Sequence, residues 1–344
     1  MSSNLTIDRP NYEPEHRGEP EHRGSVRIDC SAKLNLFLEV LGKRDDGYHE
    51  IETIMSAVSL FDSLYFSSNS TGDLRLSCEW ASGLEAHTCT STGGISDCLG
   101  ELPQHADNIV WKAVERLRND AGIEAGATIR LVKRIPAMAG LGGASSNAAA
   151  ALLAANRVWQ LDWSQARLER LAAELGSDVP FFLANRSRGS AMAVARGRGE
   201  RIERLTDMAK LHFVVVRPPT GLATPRVYER CRPAEQPANL NQLVRALHDG
   251  NPARVGAQLF NRLQSAATEL SPWIDKVRAA FNRLDCLGHG MSGSGSSYFG
   301  LFRTARHAGR HAVRLRAIRL GYVFTTRTVT VPCQVTGFRR VNGK

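Results

Sequence analysis

Apolar and polar residues alternate strictly over the first segment for which the sequence predicts regular structure. Every second position is apolar or small at Val26, Ile28, Cys30, Ala32, Leu34, Leu36, Leu38 and Val40. A period of two places these side chains on one face of a β-strand, so Lys33 and Asn35 share the opposite face. A lysine on such a face usually serves solubility. Here, however, the strand leads into a turn-rich segment that ends in Tyr48 and His49, which form either a capped turn or the wall of a pocket for a planar ring.

Patterns farther along the chain predict a mixed α and β protein. Alternating or continuous apolar runs predict strands near residues 74–78, 128–135, 213–216, 298–302 and 322–331, and residues 51–64 predict a strand or a short helix. Helical spacing predicts helices near residues 109–117, 148–155, 168–175, 240–248, 252–263, 271–284 and 305–320. Residues 196–200 predict a hairpin turn. Asp178 precedes Val179 and Pro180, and this order is typical of a helix N-cap.

A glycine-rich loop, residues 136–147, joins a predicted strand to a helix of small residues. Gly140, Gly142 and Gly143 allow backbone N–H groups to converge on an anion, and the helix N-terminus adds its free N–H groups. The alternative is a turn that merely packs a helix on a sheet. Ser145, Ser146 and Asn147 favour phosphate or magnesium binding, since hydroxyl and amide groups suit both ligands.

Two familiar nucleotide-binding motifs are not supported. The loop lacks the Gly-Lys-Ser/Thr ending of a Walker A sequence. The Gly-x-Gly-x-x-Gly string at residues 288–293 does not open a long helix, so it is weak support for a Rossmann fold.

Size and charge narrow the choice of fold and partner. The 344 residues exceed the usual size of a single core, so we expect two domains. A formal charge of +10 favours anionic partners, but no basic run interleaved with aromatic residues indicates nucleic acid. The 7 cysteines contain no Cys-x-x-Cys pair, which is typical of a reduced, cytoplasmic protein. We also expect no membrane span.

Three segments are predicted to lie outside the folded domains. Residues 1–24 contain a tandem polar hexapeptide and are expected to be a disordered tail. Residues 79–105 lack periodicity and are expected to be a surface insertion. The basic residues 333–344 are expected to be a loose tail.

Several motifs, in one order, resemble those of the GHMP kinase superfamily. The three general motifs are residues 31–38, 136–147 and 290–297. Additional strings at residues 46–50, 176–182 and 224–228 resemble the members that act on a cytidine-diphosphate-linked polyol in isoprenoid precursor synthesis. The resemblance runs from about residue 26 to 331. It implies an α+β fold with a ribosomal-S5-like N-terminal domain, residues 25–189, and a ferredoxin-like C-terminal domain, residues 190–332.

The resemblance also assigns roles to individual residues. It implies that ATP, with Mg²⁺, phosphorylates a hydroxyl of the polyol, with Asp178 and Lys33 as the catalytic pair. The implied ATP-binding residues are Pro136, Ala137, Met138, Ala139, Gly140, Leu141, Gly142, Gly143, Ala144, Ser145, Ser146, Asn108 and Lys133. The implied substrate-binding residues are Asn35, Tyr48, His49, Thr224 and Tyr228. No metal ligand is assigned, and a monomer or homodimer is expected.

One departure and two alternatives remain. Ala139 and Ala144 stand where glycine is frequent in the family, which is tolerable only if neither residue needs a positive φ. One alternative is a GHMP kinase for a sugar, mevalonate or homoserine. The other is an anion-binding module of the same fold without catalysis.

Overall fold

The computed structural model describes residues 24–84, 99–183 and 191–340. The strands in these ranges are β1 (Gly24–Lys43), β2 (His49–Asn69), β3 (Leu74–Trp80), β4 (Gly126–Lys133), β5 (Met192–Gly197), β6 (Arg201–Leu205), β7 (His212–Arg217), β8 (Phe260–Asn261), β9 (Gly288–Met291), β10 (Tyr298–Phe302), β11 (Tyr322–Arg327) and β12 (Cys333–Arg340). The helices are α1 (Ile109–Ala121), α2 (Gly143–Val158), α3 (Gln165–Leu175), α4 (Val179–Phe182), α5 (Thr224–Arg230), α6 (Asn241–His248), α7 (Pro252–Ala257), α8 (Leu263–Leu270), α9 (Pro272–Phe281) and α10 (Ala305–Ala317).

The strands form two sheets, so the prediction of a two-part α+β fold is confirmed. The larger sheet has the order β12-β1-β2-β4-β3, with β5 and β6 continuing from β2 and the short β8 beside β1. The smaller sheet has the order β11-β7-β10-β9. Strands β5 and β6 fall in the expected C-terminal domain by sequence, yet they pair within the larger sheet.

Strand β1 takes part in both halves of the molecule, which corrects the expectation of one apolar face. Its pairing with β2 shifts register between Ser31 and Ala32. Val26 and Ile28 pack in the core of the larger sheet, whereas Leu34 and other residues after the shift pack with the smaller sheet. A β-bulge bends a strand and changes where its side chains point. The unbroken alternation in the sequence therefore serves two cores.

Helix α2 packs its small side chains directly on the larger sheet. Ala148, Ala149, Ala150 and Ala151 are all fully buried in the core that includes β1 and β2. Because alanine side chains are short, the helix backbone can approach the strands closely and fix the position of the loop at its N-terminus. The loop is thus held from behind by a rigid layer.

The segment between residues 252 and 270 differs from the prediction of one helix ending at residue 263. Helix α7 ends at Ala257, Phe260–Asn261 form a parallel pairing with Phe37 and Leu38 of β1, and α8 was not predicted. The helical spacing was misleading because a non-local pairing, invisible in a sequence window, competes with local propensity.

The expectation of a loose basic tail after Cys333 is wrong. Residues 333–340 form β12, which runs antiparallel to the start of β1, with Cys333 opposite Cys30 and Arg340 opposite Gly24. The strand was missed because basic residues interrupt its pattern of apolar positions. It covers an edge of β1 that would otherwise be open.

Several expected features lie partly or wholly outside the described residues. All of the hexapeptide repeat except its last residue, Gly24, lies in residues 1–23, and about half of the expected insertion lies in residues 85–98. Within the described ranges, no helix is long and apolar enough to cross a membrane.

Candidate active site

The glycine-rich loop turns from β4 into α2 with the backbone geometry that its glycines predict. Gly140 and Gly142 have φ values of 70° and 68°, in the region that favours glycine. Ala139 and Ala144 are not among the positive-φ residues of the described chain, so they are tolerated; Met138 instead has φ 49°. The first main-chain bond of α2 runs from the Ser146 N–H to the Gly142 carbonyl at 2.9 Å. The N–H groups before it are available to an anion.

The second Gly/Ser loop, residues 292–297, packs against the first. Ser292 Oγ donates to the Gly140 carbonyl at 2.9 Å, and the Ser297 N–H donates to the Ala139 carbonyl at 3.1 Å. A methyl group on Gly140 would lie 2.2 Å from the Ser292 carbonyl oxygen. Only glycine fits this contact, so the two loops meet as one surface between the sheets.

Lys33 and Asp178 are brought together beside this surface. Lys33 Nζ lies 3.3 Å from Asp178 Oδ2, and the Lys33 side chain is 5% exposed whereas that of Asp178 is 32% exposed. The Lys33 N–H also donates to the Leu141 carbonyl at 2.8 Å, which ties β1 to the glycine-rich loop. An ammonium group and an accessible carboxylate therefore face the same space as the loop.

Asp178 does not cap the short helix that follows it. It occupies the N-cap position of α4 with φ −85° and ψ −12°, and its side chain makes no capping hydrogen bond. The capping interpretation from the sequence is wrong because the carboxylate is engaged by Lys33 instead.

Asn35 is held by polar contacts from three directions. Its Oδ1 accepts from Lys33 Nζ, its Nδ2 donates to Thr53 Oγ1 at 2.9 Å, and its N–H donates to Ser292 Oγ at 3.2 Å. Lys33 and Asn35 do share a face, as the alternation predicts, but that face is buried in the site and not exposed to solvent.

The predicted ring pocket is assembled in part. The rings of His49 and Tyr228 lie 5.1 Å apart between centroids, and Thr224 Oγ1 lies 2.8 Å from Ser294 Oγ of the second loop. Burial raises the pKa of Tyr228, and the charge of Asp178 raises it further. Tyr48 is 52% exposed and carries the guanidinium of Arg198 over its ring at 4.8 Å.

Lys133 and Asn108 are placed differently from the other predicted ATP-binding residues. Lys133 Nζ donates to Asp62 Oδ2 and, at 2.7 Å, to Asn147 Oδ1, beneath the start of α2. Asn108 caps α1, where its Oδ1 accepts from the Val110 N–H at 2.9 Å. These polar atoms are already used within the fold, and their contribution to nucleotide binding remains a prediction.

Sequence reasoning missed Asp62. This fully buried carboxylate also accepts from the main-chain N–H groups of Arg134 at 2.6 Å and Ile135 at 2.9 Å. The only signal was an aspartate inside an otherwise apolar strand segment, which a buried ion pair can explain.

Comparison with known proteins agrees with this geometry. Family models for the GHMP kinases N terminal domain and the GHMP kinases C terminal match residues 108–186 and 243–317. A homoserine kinase structure from Cytophaga hutchinsonii, 19% identical, covers 94% of this chain and 100% of its own with a TM-score of 0.65, which shows the shared fold alone. The fold and the site thus define the GHMP kinase class.

More similar proteins narrow the class. A 4-diphosphocytidyl-2-C-methyl-D-erythritol kinase from Pelotomaculum thermopropionicum is 40% identical over 287 residues, covering 83% of this chain and 92% of the relative. A crystal structure of 4-(cytidine 5′-diphospho)-2C-methyl-D-erythritol kinase is 33% identical, with a TM-score of 0.70, covering 88% of this chain and 99% of that one. The chain belongs to the 4-diphosphocytidyl-2-C-methyl-D-erythritol kinase family.

Proposed function

We propose that this enzyme transfers the γ-phosphoryl group of ATP to the 2-hydroxyl of 4-diphosphocytidyl-2-C-methyl-D-erythritol, in isoprenoid precursor synthesis. The observation that carries the proposal is the Lys33–Asp178 pair at 3.3 Å beside an open helix N-terminus. Phosphoryl transfer to an alcohol needs a site that binds the phosphates of ATP and a group that accepts the proton of the hydroxyl. The helix N-terminus supplies the first and Asp178 the second. The family relationship supplies the identity of the acceptor.

The proton of the attacking hydroxyl goes to Asp178. Its carboxylate is the accessible member of the pair, so a bound alcohol can reach it. The ammonium group of Lys33 stabilises the negative charge that develops on the transferred phosphoryl group. Asn35 fixes the Lys33 ammonium group by accepting its hydrogen bond. The hydroxyl oxygen then bonds to the γ-phosphorus as the bond from that phosphorus to ADP breaks.

The phosphates of ATP lie against the glycine-rich loop in this proposal. The N–H groups at the start of α2 and its positive dipole end stabilise the phosphate oxygens. Among the described residues no group of three or more His, Cys, Asp or Glu side chains forms a metal cage. The residues present fit Mg²⁺ that is held mainly by phosphate oxygens, with Asp178 as the accessible carboxylate and the buried, unpartnered Ser146 Oγ near the loop. When bound, Mg²⁺ neutralises phosphate charge.

The acceptor is held at its cytosine end by the ring pocket. The His49 and Tyr228 rings provide a stacking surface, and Tyr48 stands at its exposed side. Burial lowers the pKa of His49, so its imidazole is neutral at physiological pH and offers one donor and one acceptor to a base edge.

A panel of acceptors tests the function. The purified protein would be incubated with ATP and Mg²⁺ and, separately, with the cytidyl substrate, homoserine, mevalonate and galactose, while ADP release and new phosphomonoester signals in ³¹P NMR are followed. We expect turnover with the cytidyl substrate alone, and none in Asp178→Asn. Turnover of homoserine, mevalonate or galactose without turnover of the cytidyl substrate would overturn the proposal.

A further inference from the structure

The Arg198 guanidinium lies at the exposed side of the ring pocket, on a hairpin whose tip adjoins Asp178. Arg198 is at the tip of the β5–β6 hairpin, flanked by Gly197 with φ 75° and Gly199 with φ 114°. A methyl group on Gly199 would lie 3.7 Å from Asp178 Oδ1, so the hairpin tip adjoins the catalytic carboxylate. The Arg198 guanidinium itself lies 4.8 Å above the Tyr48 ring.

Three neighbouring arginines pair with carboxylates, and Arg204 on the same hairpin donates to the main-chain carbonyls of Pro180 and Phe181. Arg196 pairs with Glu52 and Glu203. Arg44 and Arg201 both pair with Glu50. Within the described ranges the Arg198 guanidinium has no carboxylate within 4.0 Å, and its main-chain N–H donates to Glu200. The nearest carboxylate that its charge acts on is Asp46, whose pKa is lowered mainly by the Tyr48 N–H and in part by Arg198. The half-buried guanidinium of Arg198 therefore forms neither an ion pair nor a hydrogen bond with the described residues, unlike the arginines around it.

Two hydrogen bonds fix the conformation of the turn that carries Tyr48. The Tyr48 N–H donates to Asp46 Oδ1 at 3.1 Å, and the Arg44 N–H donates to the Tyr48 carbonyl at 2.8 Å. A cation–π contact with the Tyr48 ring therefore positions the Arg198 guanidinium, and its N–H donors make no hydrogen bond to the described residues.

We propose that Arg198 binds the diphosphate of the acceptor and makes the enzyme selective for acceptors that carry one. This inference rests on the proposed function. An acceptor with its base against His49 and Tyr228 and its hydroxyl at Asp178 has its diphosphate between these two points. A planar guanidinium suits two phosphate oxygens, and the unpaired charge needs no competing ion pair to be broken.

The test compares two ligands that differ only in the diphosphate. Binding of cytidine 5′-diphosphate and of cytidine would be measured by calorimetry for the wild type, Arg198→Met, Arg198→Lys and the control Arg201→Met, whose guanidinium is paired with Glu50 on the same hairpin. Arg198→Met should weaken cytidine 5′-diphosphate binding about tenfold to a hundredfold, because charge-assisted hydrogen bonds are lost. Cytidine binding should barely change, since the methionine stem still covers Tyr48.

The other variants and outcomes complete the design. Arg198→Lys should fall between the wild type and Arg198→Met, and Arg201→Met should match the wild type for both ligands. Equal losses of both ligands in Arg198→Met would mean that Arg198 only orders Tyr48, and no loss would remove it from binding; either result overturns the inference. Melting temperatures check folding. A wild type that fails to phosphorylate the cytidyl substrate refutes the proposed function, whereas an active wild type with an unaffected Arg198→Met refutes this inference alone.

Discussion

At the scale of single residues, the first prediction concerns the proposed catalytic pair, Lys33 and Asp178. Asp178→Asn keeps the shape of the side chain but removes the proton acceptor, so we expect turnover to fall by at least about a hundredfold. Asp178 makes no capping bond, but the change leaves the buried Lys33 ammonium group without its counter-ion, so we expect a lower melting temperature beside the loss of turnover. Turnover assays with calorimetric ATP binding check this, and ATP affinity should be retained. Lys33→Met should lose turnover similarly; a folded Asp178→Asn protein with near wild-type turnover would contradict the assignment.

The ring pocket gives a second prediction at this scale. Tyr228→Ala should weaken binding of the cytidyl substrate roughly five- to a hundredfold, since stacking on an aromatic ring contributes about 1–3 kcal/mol per base. Tyr228→Phe retains the ring and serves as the control.

His49→Ala should lose discrimination between cytosine and uracil versions of the substrate. Separate titrations with the substrate and a non-hydrolysable ATP analogue measure both effects, and equal loss of the two ligands would indicate a packing role.

The residues of the site were predictable to different degrees. Lys33 and Asn35 follow from an alternation that puts them on one face, and the structure confirms that they touch. Asp62 could not be found, because its partner Lys133 is 71 positions away in the sequence. Arg198 looked like an ordinary turn residue; its lack of a carboxylate partner is visible only once its neighbours are placed.

At the scale of elements, the buried hydrogen-bond network of Asp62, Lys133 and Asn147 should stabilise the fold beneath α2 and the glycine-rich loop. Asp62→Asn leaves the Lys133 ammonium without a counter-ion, and breaking a buried pair in this way costs about 3–5 kcal/mol. Urea unfolding would measure the loss, with Asp73→Asn in an exposed pair as a control of little effect. The double variant Asp62→Asn with Lys133→Met should recover part of the stability. Wild-type stability in Asp62→Asn would contradict the network's role.

Elements defined by local signals were predicted better than elements defined by long-range pairing. The strand–loop–helix unit around Gly140 and Gly142 follows from glycine conformations and helix-end chemistry, and the structure confirms it. Strand β8 and strand β12 were missed since both exist through pairing with β1, hundreds of residues earlier. The propensity of a short segment does not indicate which distant strand it will pair with.

At the scale of the whole molecule, Glu39 joins β1 to the helical part of the C-terminal half. Both carboxylate oxygens bond Arg262 at 2.7 Å, and the Ala238 N–H donates to Oε2 at 2.8 Å. Burial alone would raise the pKa of Glu39, but these hydrogen bonds outweigh burial and lower it. A lowered folded-state pKa adds stability that is present above the unfolded pKa, about 4.3, and is lost as pH falls through the folded value.

Glu39→Gln should therefore make the free energy of unfolding depend less on pH below about pH 4.3. We expect a loss of about 1.5–3 kcal/mol at pH 7, because hydrogen bonds to charged groups are removed, and a shallower decline below about pH 4.3. Unfolding free energies from pH 7 down to pH 3 measure both. The exposed pair of Asp249 with Arg254 supplies the control Asp249→Asn. A variant curve parallel to the wild type throughout would show that Glu39 does not set the acid limb.

The pairing of β12 with β1 also has a consequence for how the chain is made. Strand β1 carries Lys33 of the proposed catalytic pair. Among the described strands, the edge of β1 from Gly24 to Cys30 that faces away from β2 pairs only with residues 333–340, about 300 residues later. At translation rates of about 5–20 residues per second, a ribosome needs roughly 15–60 s to produce that cover. During this interval the edge of β1 that later pairs with β12 has no partner among the described strands, so it is open to pairing with a strand of another chain. A chaperone that shields this edge during synthesis would raise the yield of active enzyme without touching its active site.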